Sequence, residues 1–268
     1  MVPWSSFRQS CRTAGEPRES SNFKETALFE RFSDHIKALP PCDRYSQSHL
    51  LVDQFRLDAS GSLAIFYAPL DYINAKAKVA LVGITPGWTQ MEAAYQEARL
   101  ALLEGAHRDE VCRRAKSRAS FAGPMRRNLI QMLNYIDLHE ALGLGTCAEL
   151  FGSASAQLHT TSALRYPVFV DGKNYSGHRP ELLRVPIFRE IIHTDLQEEL
   201  AQVPDALVIP LGSCVNAVVE ELVSNSMLER RRCLIGFPHP SGLNGHRIAQ
   251  FSARRLEMSS AVKEWFFR

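Results

Sequence analysis

The chain lacks most of the features that place a sequence at once. Its six cysteines (Cys11, Cys42, Cys112, Cys147, Cys214, Cys233) are far apart and no C-x-x-C pair occurs. The close thiolate pairs of zinc sites and iron–sulfur clusters are therefore missing, and the cysteines read as reduced thiols of a cytosolic protein. No run approaches the ~18 consecutive apolar residues of a membrane-spanning helix. Met1–Ser10 holds no apolar stretch of signal-peptide length, so the expectation is a soluble cytoplasmic protein with no membrane partner. An excess of one charge is missing too: 31 Lys and Arg face 29 Asp and Glu, a formal net charge of +2. Any surface for nucleic acid must then be local. There is no internal repeat and no G-x-x-x-x-G-K-[ST] phosphate loop.

What is present is an ordinary globular composition over 268 residues, 45% hydrophobic and 22% charged, enough for one large α/β domain or two small ones. Residues 1–21, rich in Ser, Arg, Glu and Pro, read as a flexible tail, and residues 22–268 as a single domain. Asn22 with Glu25 resembles a capping box opening a helix. Leu28, Phe32, Ile36 and Leu39 continue it at helical spacing until Pro40-Pro41. From residue 79 the pattern becomes strand, loop, helix. Val79–Val82 and Ala206–Leu211 are apolar runs without alternation. Leu158–Leu164 is a weaker strand and Arg232–Phe237 a further one. Helices are expected at about Gln90–Glu104, Met125–Leu138, Ser213–Leu222 and His246–Phe266. Such strands separated by helices predict a parallel sheet covered on both faces, with functional loops at its carboxyl edge.

Two loops at strand ends stand out, Gly83-Ile84-Thr85-Pro86-Gly87 and His239-Pro240-Ser241-Gly242-Leu243-Asn244. Alone, the first is a plain turn. His239 alone is a structural histidine or a donor to a developing anion. His239 and His246 lack a third ligand at characteristic spacing, so no metal is expected. Together the two loops resemble the signature motifs of the uracil-DNA glycosylase superfamily. Ser120–Leu129 and Thr160–Pro167 are similar to the P-F-V-G-P-x-G-x-x-L and T-N-V-V-K-C-R-P segments of its iron–sulfur branch, and Ile209–Gly212 to its apolar strand ending in Gly.

The resemblance implies a three-layer α/β/α sandwich with a central four-stranded parallel sheet. It also implies an enzyme that flips a base out of DNA and hydrolyses its N-glycosidic bond. Within it, His239 donates to the leaving base, Phe121 stacks on it, and Gly83, Ile84, Pro86 and Gly87 shape the site. Ser241, Gly242, Leu243, Asn244 and Arg247 hold phosphate and wedge the duplex, Leu243 being the apolar wedge. Where the family carries a water-orienting Asp, Asn or Glu this chain has Thr85 and Ile84, and its base-reading Asn aligns with Thr161. The cluster cysteines are absent. A hydroxyl is a poor general base and reads a pyrimidine edge less fully than an amide, which points to a modified or damaged pyrimidine rather than plain uracil. Hypermodified viral DNA, and hence host defence, is one such setting. Asp171 and Asn174, in the polar turn 171–178, are candidates for water activation and base contact in place of Thr85 and Thr161.

Residues 88–120 read as a helical basic insertion. Over 107–127 seven basic residues, Arg126 and Arg127 among them, face Asp109 and Glu110; Arg230–Arg232 is a second cluster. Beside such a site these charges attract a phosphate backbone, though charge runs are more often solvated faces. The expectation is a monomeric, monofunctional, cofactor-free glycosylase acting on double-stranded DNA. Its rivals are a uracil or mismatch repair glycosylase, a catalytically inactive DNA-binding relative, and a hydrolase of small N-glycosides.

Overall fold

The computed structural model describes residues 21–242 and 244–267, with side chains from Leu28 onward. Residues 1–20 of the expected tail, the side chains of the Asn22–Glu25 cap and the Leu243 wedge lie outside these described parts, while Ser21, the last residue read as tail, begins α1. The helices are α1 Ser21–Lys37, α2 Gln47–Leu50, α3 Trp88–Leu103, α4 Arg108–Ala119, α5 Pro124–Tyr135, α6 Leu138–Ala141, α7 Pro186–Ile191, α8 Gln197–Ala201, α9 Ser213–Ser224 and α10 Arg247–Phe266. A π-helical turn, Ile192–Leu196, joins α7 to α8. The strands are β1 Arg56–Ser60, β2 Leu63–Phe66, β3 Val79–Gly83, β4 Leu158–Ser162, β5 Val168–Val170, β6 Lys173–Asn174 and β7 Leu207–Pro210.

These elements form two compact units. The first combines the described residues up to Tyr72 with Pro86–Ala119 and Tyr166–Tyr175. It contains an antiparallel sheet in the order β1-β2-β5-β6. Gly61, at φ +59°, turns β1 into β2, a left-handed conformation that glycine takes without strain. Phe32 of α1 stacks on Tyr67 with ring centroids 4.4 Å apart, and Phe55 meets Tyr95 of α3 edge-on. At this unit's centre Asp71, 2% exposed, accepts from the hydroxyls of Tyr67 at 2.7 Å and Tyr166 at 2.5 Å. Burial first, and the Asp71 charge next, hold the Tyr67 phenol well above its usual range, so it remains a donor.

The second unit, Ile73–Thr85, Ser120–Arg165 and Ser176–Arg268, contains a parallel sheet in the order β4-β3-β7. Val79 and Leu81 of β3, Leu158 of β4 and Leu207 and Ile209 of β7 share one face with Leu129, Met132, Leu133, Phe251, Met258 and Val262 of α5 and α10. On the other face His159 of β4 bonds Glu199 of α8 through Nε2 at 2.9 Å. Helices therefore cover both faces, which is why β3 is apolar throughout. Glu199, 1% exposed, also receives Arg165 at 2.8 Å.

Among the described residues the expected fourth strand does not form, and the parallel sheet has three. Arg230–Arg232 is a 3-10 turn, and Cys233 makes only an isolated parallel bridge to Val208. Gly236, at φ +95°, leaves extended geometry, and its N–H goes to the Asn216 side chain instead of a ladder. The segment nevertheless follows β7, with Leu234 N–H on Val208 O at 2.8 Å and Gly212 N–H on Phe237 O at 2.9 Å. It delivers His239 to the carboxyl edge.

Candidate active site

In the second unit, β4 lies to one side of β3 and β7 to the other. That places a topological switch at the carboxyl ends of β3 and β7, where α/β proteins bind ligands. The chain leaves β3 through Ile84 and Thr85, anchored by Ala163 N–H on Gly83 O at 2.8 Å and Leu164 N–H on Ile84 O at 3.0 Å. From β7 it leaves through Gly212, at φ +93°. A Cβ on Gly212 would lie 2.9 Å from the Cβ of His239, so the absent side chain lets His239 approach the sheet edge.

The imidazole of His239 is in a defined state. The N–H of Ser241 donates to its Nδ1 at 3.2 Å, so the ring proton belongs on Nε2. Burial lowers the His239 pKa, and the nearby His178 lowers it further. The ring is neutral at pH 7 and presents an N–H donor. Its backbone is fixed by several side chains: Asn244 donates to His239 O at 3.3 Å, Asn128 to Pro240 O at 2.9 Å, and Arg247 to Ser241 O at 2.8 Å. Asn244 and Arg247, expected on phosphate, thus also shape the loop that carries His239.

Phe121 stands at φ +49°, left-handed for a bulky residue, a conformation that costs about 1–3 kcal/mol and clusters at functional sites. Its neighbours hold it there. Ser120 Oγ bonds Thr160 Oγ1 at 2.6 Å, and Arg126 Nε donates to Ser120 O at 2.9 Å while its guanidinium covers Phe151. Arg126 therefore spends donors on the Phe121 turn; Arg127 is exposed. The Phe121 ring lies 3.5 Å from where a Cβ on Gly83 would be, with Ser162 Oγ at 3.3 Å. Part of the ring also packs on the apolar core. Thr161 is 8% exposed, and its Oγ1 has no hydrogen-bond partner among the described residues. Such a hydroxyl is available to a ligand or water.

The remaining expected residues fall in the first unit. Asn174 Oδ1 accepts the Trp88 N–H at 2.8 Å, capping α3, and Gln90 takes the Gly87 N–H at 2.9 Å. Asp171, at φ +49°, forms the exposed β5–β6 turn, its N–H on Ser62 O at 2.9 Å. Pro86 is buried. Several charges of the basic insertion are engaged: Arg113 pairs with Glu110 at 2.7 Å, Arg114 with Glu97 at 2.7 Å and with Glu104, and Lys116 donates to Tyr72 O at 2.7 Å. In the second unit Arg231 pairs with Glu229 at 2.6 Å, and the buried Arg232 caps carbonyls of Leu200, Val203 and Ala206.

One group beside His239 has no sequence signal: Cys214, in the first turn of α9, lies 3.3 Å from each ring nitrogen of His178. The partners are 36 residues apart, and no spacing rule joins them. Among the described residues no three His, Cys, Asp or Glu side chains are arranged to hold a metal, and no helix is long and apolar enough to cross a membrane.

No family model matches the chain, and no solved structure matches it. A protein of Bacillus subtilis (strain 168) described as "Uncharacterized protein YoxB" is 39% identical to it over 241 residues, 89% of this chain and 93% of the relative. That span is too long to fall within either unit alone. The chain belongs to the family of this YoxB protein.

Proposed function

We propose that the second unit is a three-layer, glycosylase-like α/β domain that hydrolyses the N-glycosidic bond of a flipped-out modified or damaged pyrimidine in DNA. The observation that carries this reading is the state of His239: neutral, with its proton on Nε2, on a loop held at the switch point. When the bond between base and sugar breaks, the base leaves with the electron pair and charge gathers on its carbonyl oxygen. A fixed neutral donor there is worth ~10²–10³ in rate. Phe121, held in a strained conformation over Gly83, is the surface on which the base stacks. The unpartnered Thr161 hydroxyl supplies one polar contact to it.

The test is base release from duplexes carrying uracil, hydroxymethyluracil, deoxyinosine, 5-hydroxymethylcytosine or its glucosylated form, scored as alkali-labile sites. Release is expected from at least one duplex, falling ~10²–10³-fold in His239→Ala with duplex binding retained. Equal release by the variant would refute the mechanism. A second reading, hydrolysis of a small N-glycoside, is favoured by the engagement of the basic runs in ion pairs and carbonyl caps. It predicts cleavage of free nucleosides with little dependence on salt, whereas a phosphate-binding enzyme loses affinity steeply as salt rises.

A further inference from the structure

Hydrolysis of a glycosidic bond needs a group that takes a proton from the attacking water. Ile84 and Thr85, at the end of β3, bring no such group. His239 is committed as a donor, its Nδ1 being occupied by the Ser241 N–H.

We infer that His178 is the general base of this site, held by Cys214 against the first loop and facing the same edge as His239. The inference rests on the glycosylase reading and deepens it.

Three contacts place the residue. Gly177, at φ +87°, lies so close to the first loop that a Cβ there would be 3.3 Å from Cγ2 of Ile84 and 3.1 Å from Sγ of Cys214. The glycine is therefore what lets the chain carry the next residue, His178, against the end of β3. The Cys214 Sγ then lies 3.3 Å from the imidazole nitrogens. Burial, first among its influences, keeps this thiol above its ordinary range, so Cys214 is a neutral thiol whose sulfur accepts the ring N–H of one imidazole nitrogen. The other nitrogen then keeps its lone pair toward solvent, and either nitrogen can take either part because the sulfur lies 3.3 Å from both. Finally, His178 is near enough to His239 for its charge to depress the His239 pKa, while its own side chain is exposed and open to water.

Nucleophile, base and orienting group then follow the usual logic of a base steadied by a third residue. Water attacks C1′ of the sugar while the C–N bond breaks. His178 takes the water proton, and the base departs with the bonding pair as an anion held by His239. It is protonated by solvent or by the imidazolium of His178, which regenerates the neutral ring. A base of this kind contributes roughly 10²–10⁴ in rate.

The test is single-turnover base release on the duplex panel and on free nucleosides with the full-length protein and its His178→Ala and His178→Gln variants, with and without added imidazole. The expected result is a loss of at least ~10²-fold in both variants, duplex binding retained, and partial recovery of His178→Ala by imidazole in proportion to the free base. His178 is exposed, so both variants should fold, and unchanged melting temperatures check this. Titration of the His239 ring by NMR supplies a readout that needs no substrate: its pKa should rise in His178→Gln. Wild-type release with full activity in both variants overturns the inference and leaves the glycosylase reading standing. A loss that imidazole does not restore, with an unmoved His239 titration, makes the residue structural and also overturns it. No release by the wild-type protein from any substrate overturns both.

Discussion

Each unit buries a carboxylate, and the two are answered differently. Asp71 of the first unit receives the hydroxyls of Tyr67 and Tyr166, both uncharged donors, and burial holds the Tyr67 phenol protonated. Glu199 of the second receives Arg165 on one oxygen and His159 on the other. A hydroxyl donor stabilises the charge without adding one. A guanidinium brings a second desolvated charge that is tolerable only while its partner remains. Unit one thus contains a carboxylate whose donors can survive its loss, and unit two a set of groups that stand or fall together.

Breaking the second set should cost most. Glu199→Ala leaves Arg165 and His159 buried without their acceptor, and a loss of about 3–5 kcal/mol is expected in denaturant unfolding. Asp71→Asn keeps an acceptor oxygen for one phenol and should cost about 1–3 kcal/mol. If the two losses were equal, the distinction between hydroxyl and cationic donors would not hold. Phe121→Ala should weaken capture of the flipped base by about 1–3 kcal/mol, read as the affinity for a duplex carrying the released base's analogue. Unfolding of that variant would instead make Phe121 a core residue.

The smallest expected effect is a pH dependence in the second unit. The folded pKa of His239 lies below its unfolded value of 6.5. Between these values the unfolded chain binds the extra proton, so this contribution to stability is complete above 6.5 and declines as pH falls toward the folded value. Melting temperature followed from pH 7 downward should fall less in His239→Asn than in the native protein. Alkali does not separate the units, since burial raises Cys112 in the first as well as Cys233 (to about 11) and Cys147 (to about 12) in the second.

How much of this was legible in the sequence depends on whether the determining contacts were local. The runs Val79–Val82 and Ala206–Leu211 announced buried parallel strands because both faces of the sheet are covered. No strand was expected where β1 and β2 form; β1 pairs only with β2, and β2's other partner, β5, lies about a hundred residues further along the chain. The fourth strand was misread from its apolar residues; Gly236 and the Asn216 side chain end it. At the candidate site, His239 and Phe121 stood out within local motifs. Asn174 carried the same polar chemistry as a site residue but caps α3. The basic run looked unpaired because Glu97 and Glu104 reach Arg114 from another helix and its end, whereas Glu110 and Arg113, three apart, were readable as a pair. His178 and Cys214 meet only through the fold.

The route of the chain has one more consequence. It passes from one unit to the other after Tyr72, Thr85, Ala119, Arg165 and Tyr175, so neither unit is a continuous stretch of sequence. No single cut in the gene yields a complete copy of either, and no simple fusion could have brought a finished first unit to a finished second one. Whatever selection acts on one acts on a reading frame that also encodes the other, and the two are inherited as a single genetic object.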